Sequence, residues 1–292
     1  MADRQAGGSS RLLIKLHEAV QENKFYEAHQ LLKTLSFRYT STKKYDELEN
    51  LLVKYSGFLL DNKQHESGMD VAIMLSKLYA TAEFPVTEKR ISDSVSLLQK
   101  MPNSPERINF ISGVVEWARD SELIGELHAT ATKLYITDRD FGDAWRHIMR
   151  INDGEEAAAL TLQIIALMKG FIRLAEVDLV IAHLVIAFLV GKRIAPAESA
   201  FMKLVKESPI QDRPPLFNAL RYLIEAAKTK DAQAFKAIRD LYEPSFCRDP
   251  MLRKLVANAG KSLFNLPDSR YDRQGGGGLM PMLLNAFLNP VE

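Results

Sequence analysis

Residues 23–55, NKFYEAHQLLKTLSFRYTSTKKYDELENLLVKY, decide the fold. Phe25, Ala28, Leu32, Leu35 and Tyr39 step by three and four residues, which at about 100° per residue keeps them on one face of an α-helix. Ser41-Thr42-Lys43-Lys44 breaks the pattern, and Tyr45, Leu48, Leu51, Leu52 and Tyr55 resume it. Two helices joined by so short a polar turn lie antiparallel, and one hairpin alone cannot bury both of its faces.

The unit recurs along the chain. NKFYEA at 23–28, DRDFGDA at 138–144, GKRIAPA at 191–197 and TKDAQA at 229–234 each place an alanine near the third position past the first packed residue, with NKQHESG at 62–68 a weaker copy. This predicts an all-α chain, an α-solenoid of stacked antiparallel helix hairpins, TPR-like with degenerate repeats of about 40 residues. The first helix is expected from about Ser10 to Asn23 and the last to end near Phe264. Pro85, Pro102 and Pro105 punctuate the section between, and SPER at 104–107 reads as an N-cap serine followed by proline at the first helical position. No strand-like alternation is convincing, although the connection 208–215 has room for a small irregular excursion.

Leu174–Val190, LAEVDLVIAHLVIAFLV, is the most apolar stretch, yet it contains Glu176, Asp178 and His183. A bilayer span needs about 20 apolar residues, so the expected role is a helix buried on several sides. The expected organisation is a flexible N-terminus at 1–9, an N-terminal half of the solenoid at 10–153, a C-terminal half at 154–267, and a Gly-rich linker with a short apolar tail at 268–292. Three readings of the tail segment LMPMLLNAFLNPVE stand open: folding back, capturing a partner, or a disordered end.

Charge and cysteine usage bound the function. Lys plus Arg total 38 against 37 Asp plus Glu, so nothing global draws the chain to nucleic acid or to an anionic membrane, and charged recognition has to be local. Cys247 is the lone cysteine, which excludes an intrachain disulfide framework and suits the reducing cytosol. One local basic patch exists: Lys33, Arg38, Lys43 and Lys44 lie between Ala28 and Tyr45 with no acid among them. Tyr26, Lys33 and Phe37 fall within about 40° of one another, opposite the apolar stripe of their helix. Two readings fit this outer face, a second packing face or a binding surface.

Motifs for chemistry are missing. The histidines at 17, 29, 65, 128, 147 and 183 lack the spacing of helical metal sites, and Gly275–Gly278 lacks the Lys-Ser/Thr and preceding strand of a phosphate loop. No catalytic residue, cofactor or metal is assigned, and the expectation is a protein that is not an enzyme.

FYEAHQLLKTLSFRY resembles the opening hairpin of the Golgi-to-ER traffic protein four family, whose animal members belong to the transmembrane-domain recognition complex. MPNSPERINFISGVVEW at 101–117, PIQDRPPLFNALRYL at 209–223 and PSFCRDPMLRKLVANAGKSLFNLP at 244–267 are similar to further family segments in the same order. The resemblance implies a cytosolic scaffold in the pathway that delivers tail-anchored membrane proteins to the endoplasmic reticulum. It implies that the N-terminal half docks on the targeting ATPase and the C-terminal half holds a ubiquitin-like partner, directly or through an adaptor, without nucleic acid and without direct membrane insertion. Carried over, the ATPase-facing candidates are Tyr26, Arg38, Lys43, Lys44 and Asp70, to which helix geometry adds Lys33. The candidates for the ubiquitin-like partner are Pro214, Leu216, Phe217 and Leu220, expected as apolar residues presented by a proline-fixed loop. Helical-repeat subunits of other assemblies, and less so RNA-binding helical repeats, remain competing classes.

Overall fold

A computed structural model of the chain describes residues 2–210 and 214–266, with side chains from residue 9. The described residues are helical and contain no β-strand. They form an α-solenoid of antiparallel hairpins divided into two compact units, Met1–Thr130 and Ala131–Glu292. The divide falls inside a helix. The expected tail at 268–292 lies outside the described residues.

The first unit contains α1 (Ala2–Gln21), α2 (Phe25–Ser41), α3 (Tyr45–Asp61), α4 (His65–Thr81), α5 (Glu88–Leu98) and α6 (Pro105–Trp117), and α7 (Gly125–Thr137) runs across its boundary. Helix α1 starts ahead of the expected Ser10, because Ala2, Arg4, Gln5 and Ala6 are good helix formers that offset Gly7 and Gly8. Consecutive helices pair from α1 to α4 and again from α5 to α6, while α2 lies against α4, α3 against α5 and α4 against α6, so hairpins stack with like helices in like layers. Leu16, Leu32, Leu35, Leu48, Leu52, Leu59 and Leu75 fill the core.

The turns explain the repeat. Asn23, Lys43, Lys63 and Glu83 recur every twenty residues in the left-handed region, with φ between 50 and 59°. At the α2–α3 turn the Lys43 N–H donates to the Thr40 carbonyl and the Lys44 N–H to the Tyr39 carbonyl, at 3.1 and 2.9 Å. The same pair of bonds closes α1 and α3, and it is the Schellman arrangement that satisfies the last carbonyls of a helix. A three-residue link of fixed geometry then aims each helix back along its predecessor. The expected cap also forms, since the Ser104 hydroxyl accepts from the Arg107 N–H at 3.2 Å with Pro105 in the first turn.

The second unit is built from α8 (Phe141–Ile148), α9 (Gly154–Leu167), α10 (Val177–Val190), α11 (Ile194–Glu207), α12 (Pro215–Thr229), α13 (Ala232–Leu241), the single turn α14 (Glu243–Phe246) and α15 (Pro250–Phe264). Helix α10 is its centre: α11, α12 and α15 all pack on it, and its residues are buried on every side. That is the fate of the apolar stretch at 174–190. The carboxylate of Asp178 enters this core only because the Arg248 guanidinium grips both of its oxygens, at 2.6 and 3.0 Å.

Candidate partner-docking surfaces

Helix α2 carries two sets of large side chains. Its Phe25–Ala28–Leu32–Leu35–Tyr39 stripe faces the stack, with Phe25 against Phe58 at 6.0 Å between ring centroids. Tyr26 and Phe37 point the other way, 76% and 78% exposed, so among the described residues no second helix packs over this outer face. Between them, Lys33 Nζ reaches across to α4 and lies 2.8 Å from Asp70 Oδ2. His29 Nε2 donates to the same oxygen at 2.7 Å. Partial burial pushes the Asp70 carboxyl up, but the hydrogen bonds from Lys33 and His29 outweigh it and hold the group below its ordinary value. The face is therefore an aromatic pair flanking a cation–carboxylate cluster that α2 and α4 build jointly.

The other N-terminal candidates sit farther along. Arg38 is half-buried in the last turn of α2, where a cation suits the helix dipole. Lys43 is the exposed left-handed turn residue, and Lys44, also exposed, precedes α3 with Nζ 3.8 Å from Glu47. At about 1.5 Å per residue, Tyr26 and Lys43 lie roughly 25 Å apart at opposite ends of α2. The candidates are thus spread along an extended strip. His29 was missed in the sequence, where its i,i+4 relation to Lys33 on one helix face was the available signal.

The C-terminal candidates need correction. Helix α12 begins at Pro215, and Leu216, Phe217 and Leu220 are 1%, 5% and 0% exposed. They are the core stripe of α12 against α10 and α11, with Phe217 edge-on to Phe201 at 6.1 Å. Only Pro214, at the helix entry, keeps partial exposure. The apolar side chains this region does present are Met202 on α11, Tyr222 on α12 and Leu241 on α13. Lys228 on α12 pairs with Glu198 on α11 at 2.9 Å on the exposed side of these two helices.

With the geometry described, similarity to known proteins takes on meaning. The family model described as Golgi to ER traffic protein 4 matches residues 42–284. The chain belongs to that family. Golgi to ER traffic protein 4 homolog A of Xenopus laevis is 30% identical over 300 residues, covering 99% of this chain and 90% of that protein. The Homo sapiens homolog stands at the same identity and coverage. The crystal structure of C. therm. Get4 superimposes with a TM-score of 0.73 at 19% identity, covering 96% of both chains, which supports the shared fold.

In this member of the Golgi to ER traffic protein 4 family, Lys43, Lys44 and Asp70 fall inside the matched stretch, whereas Tyr26, Lys33 and Arg38 precede it. Among the described residues no helix is long and apolar enough to cross a membrane. Likewise, no group of three or more His, Cys, Asp and Glu in that range could hold a metal ion.

Proposed function

We propose that the chain is a non-catalytic scaffold in the cytosolic delivery of tail-anchored membrane proteins to the endoplasmic reticulum. The first unit docks on the targeting ATPase and restrains its hydrolysis until a client arrives. The second unit holds a ubiquitin-like partner, directly or through an adaptor, that recruits the client. Carrying both contacts on one chain raises the effective concentration of one partner for the other, so weak individual contacts suffice.

Membership in a family of Golgi-to-ER traffic proteins supports this reading. The observation that carries it is the outer strip of α2, where exposed Tyr26 and Phe37 flank Lys33 and the strip ends in Lys43 and Lys44. Aromatic anchors with a cationic border are the composition expected of a docking face for an acidic partner. For the second unit, the presenting residues are Pro214, Met202, Tyr222 and Leu241, in place of the buried Leu216, Phe217 and Leu220.

A binding titration against the ATP-bound targeting ATPase at two salt concentrations tests the charge component. Affinity of the wild type is expected to fall with salt, and Lys43→Glu/Lys44→Glu is expected to remove both the affinity and its salt dependence. Salt-independent binding, or a double variant that binds like the wild type, sinks the assignment of these lysines.

A further inference from the structure

The last turn of α2 carries a pattern that docking alone does not use. In Arg38-Tyr39-Thr40-Ser41-Thr42-Lys43-Lys44 the Ser41 hydroxyl has an arginine three residues before it and lysines two and three residues after it. Arg38 and Ser41 form the one Arg-x-x-Ser/Thr spacing in the 292 residues, so neither flanking threonine shares it. Bases at these offsets are the charge pattern by which basophilic serine/threonine kinases choose a substrate hydroxyl.

The fold leaves that hydroxyl reachable. Ser41 is the last residue of α2 and is exposed, as are Thr42, Lys43 and Lys44 after it. Its Oγ donates to the Arg38 carbonyl at 2.8 Å, yet that carbonyl also accepts from the Thr42 N–H at 3.1 Å and the Thr42 hydroxyl at 3.0 Å. Replacing the Ser41 hydroxyl hydrogen therefore orphans no backbone group. The Thr42 hydroxyl, by contrast, is tied to both the Arg38 and the Tyr39 carbonyls. Lys43 holds the turn at φ 56°, in the left-handed region that is costly for a residue with a Cβ. The link therefore opens more readily than the body of either helix and can present an extended segment to an enzyme.

We propose that Ser41 is a phosphorylation site for a basophilic serine/threonine kinase, and that the phosphate switches off the cationic end of the α2 strip. Ser41 Oγ attacks the γ-phosphorus of ATP, the bond from that phosphorus to the bridging oxygen breaks, ADP departs, and the hydroxyl proton passes to the kinase's catalytic carboxylate. A phosphoserine carries about −2 charge at neutral pH. Set among the three cations Arg38, Lys43 and Lys44, it leaves this end of the strip nearly neutral and weakens its pull on an acidic partner. The site stands on the chain's own residues, whereas the switch rests on the α2 strip being the docking face for the ATPase.

The test begins with the folded full-length protein, incubated with ATP and the catalytic domain of protein kinase C and mapped by fragment mass spectrometry. One phosphate at Ser41 is expected. Ser41→Ala, with an unchanged thermal melt, is expected to take none, while Thr42→Ala is modified like the wild type. The phosphorylated protein is then titrated against the ATP-bound ATPase, where affinity about tenfold weaker than that of the unmodified chain is expected, with a shallower salt dependence. No phosphate on the folded chain, or phosphate at Thr40 or Thr42 in place of Ser41, overturns the site. Phosphate at Ser41 with unaltered affinity overturns the switch. An unmodified chain that does not bind the ATPase at all defeats the docking reading and the switch together, while the phosphate map still decides the site.

Discussion

Helices α2 and α12 both offered aromatic and apolar residues as candidate docking groups, and the fold treats them in opposite ways. On α2, Tyr26 and Phe37 are additional to a complete core stripe, and they stay exposed. On α12, Leu216, Phe217 and Leu220 are themselves the core stripe, and they are buried. An apolar set that is the only such set on a helix goes to the core, because leaving it in water forfeits the burial that holds the helix in place. An apolar residue outside that set has no such claim on it and is where a partner face should be sought.

The largest effect separates the two helices by stability. Leu220→Ala or Phe217→Ala should cost about 3–5 kcal/mol in chemical denaturation, since each empties a site enclosed by α10 and α11. Phe37→Ala should stay within about 0.5 kcal/mol of wild type, as exposed positions do. Equal losses at Phe217 and Phe37 would break the distinction.

Acid sharpens a second contrast, between the units. In the second unit burial, aided by Arg150 and Arg146, pushes His147 down from 6.5 to about 4, and burial also lowers His183. Between the ordinary histidine range and about pH 4 the unfolded chain binds protons that the folded unit refuses, so this unit loses stability across that window. Asp70 in the first unit titrates below its ordinary carboxylate value, so what it contributes persists through that window and is lost only as pH falls further. Amide hydrogen exchange at pH 7 and pH 5 should therefore show opening energies falling in α8 and α10 before α2 and α4. The reverse order would contradict the burial assigned to the two histidines.

The smallest effect concerns the turns. Lys63→Gly should raise stability by about 0.5 kcal/mol, because glycine occupies the left-handed region without the steric cost a lysine pays. Lys43→Gly should gain as much while weakening partner binding. A loss of stability at Lys63 would mean that its side chain packs in a way its exposure does not suggest.

Helix boundaries were legible because their signals are local. The three-and-four spacing, the proline stops, and Ser104 before Pro105 are written within one turn of chain. The burial of α10 was legible for the same reason, since an apolar stretch too short and too charged to span a bilayer has only the core left. The start of α1 was not, because Gly7-Gly8 reads as a break that the flanking helix formers override. Nor was the cluster around Asp70, whose partner His29 lies 41 residues away and meets it only when α2 and α4 stack. The sequence misplaces Phe217 because the preceding Pro-Pro pair reads as an open loop, whereas Pro215 is simply the first residue of α12.

We propose that the outer face of α2 binds the targeting ATPase through residues the fold itself does not need. Tyr26→Ser/Phe37→Ser, titrated against the ATP-bound ATPase alongside a thermal melt, tests it most directly. A loss of affinity of roughly thirtyfold or more is expected with the melting temperature unchanged. Unchanged affinity, or a loss that merely follows a lowered melting temperature, would contradict it.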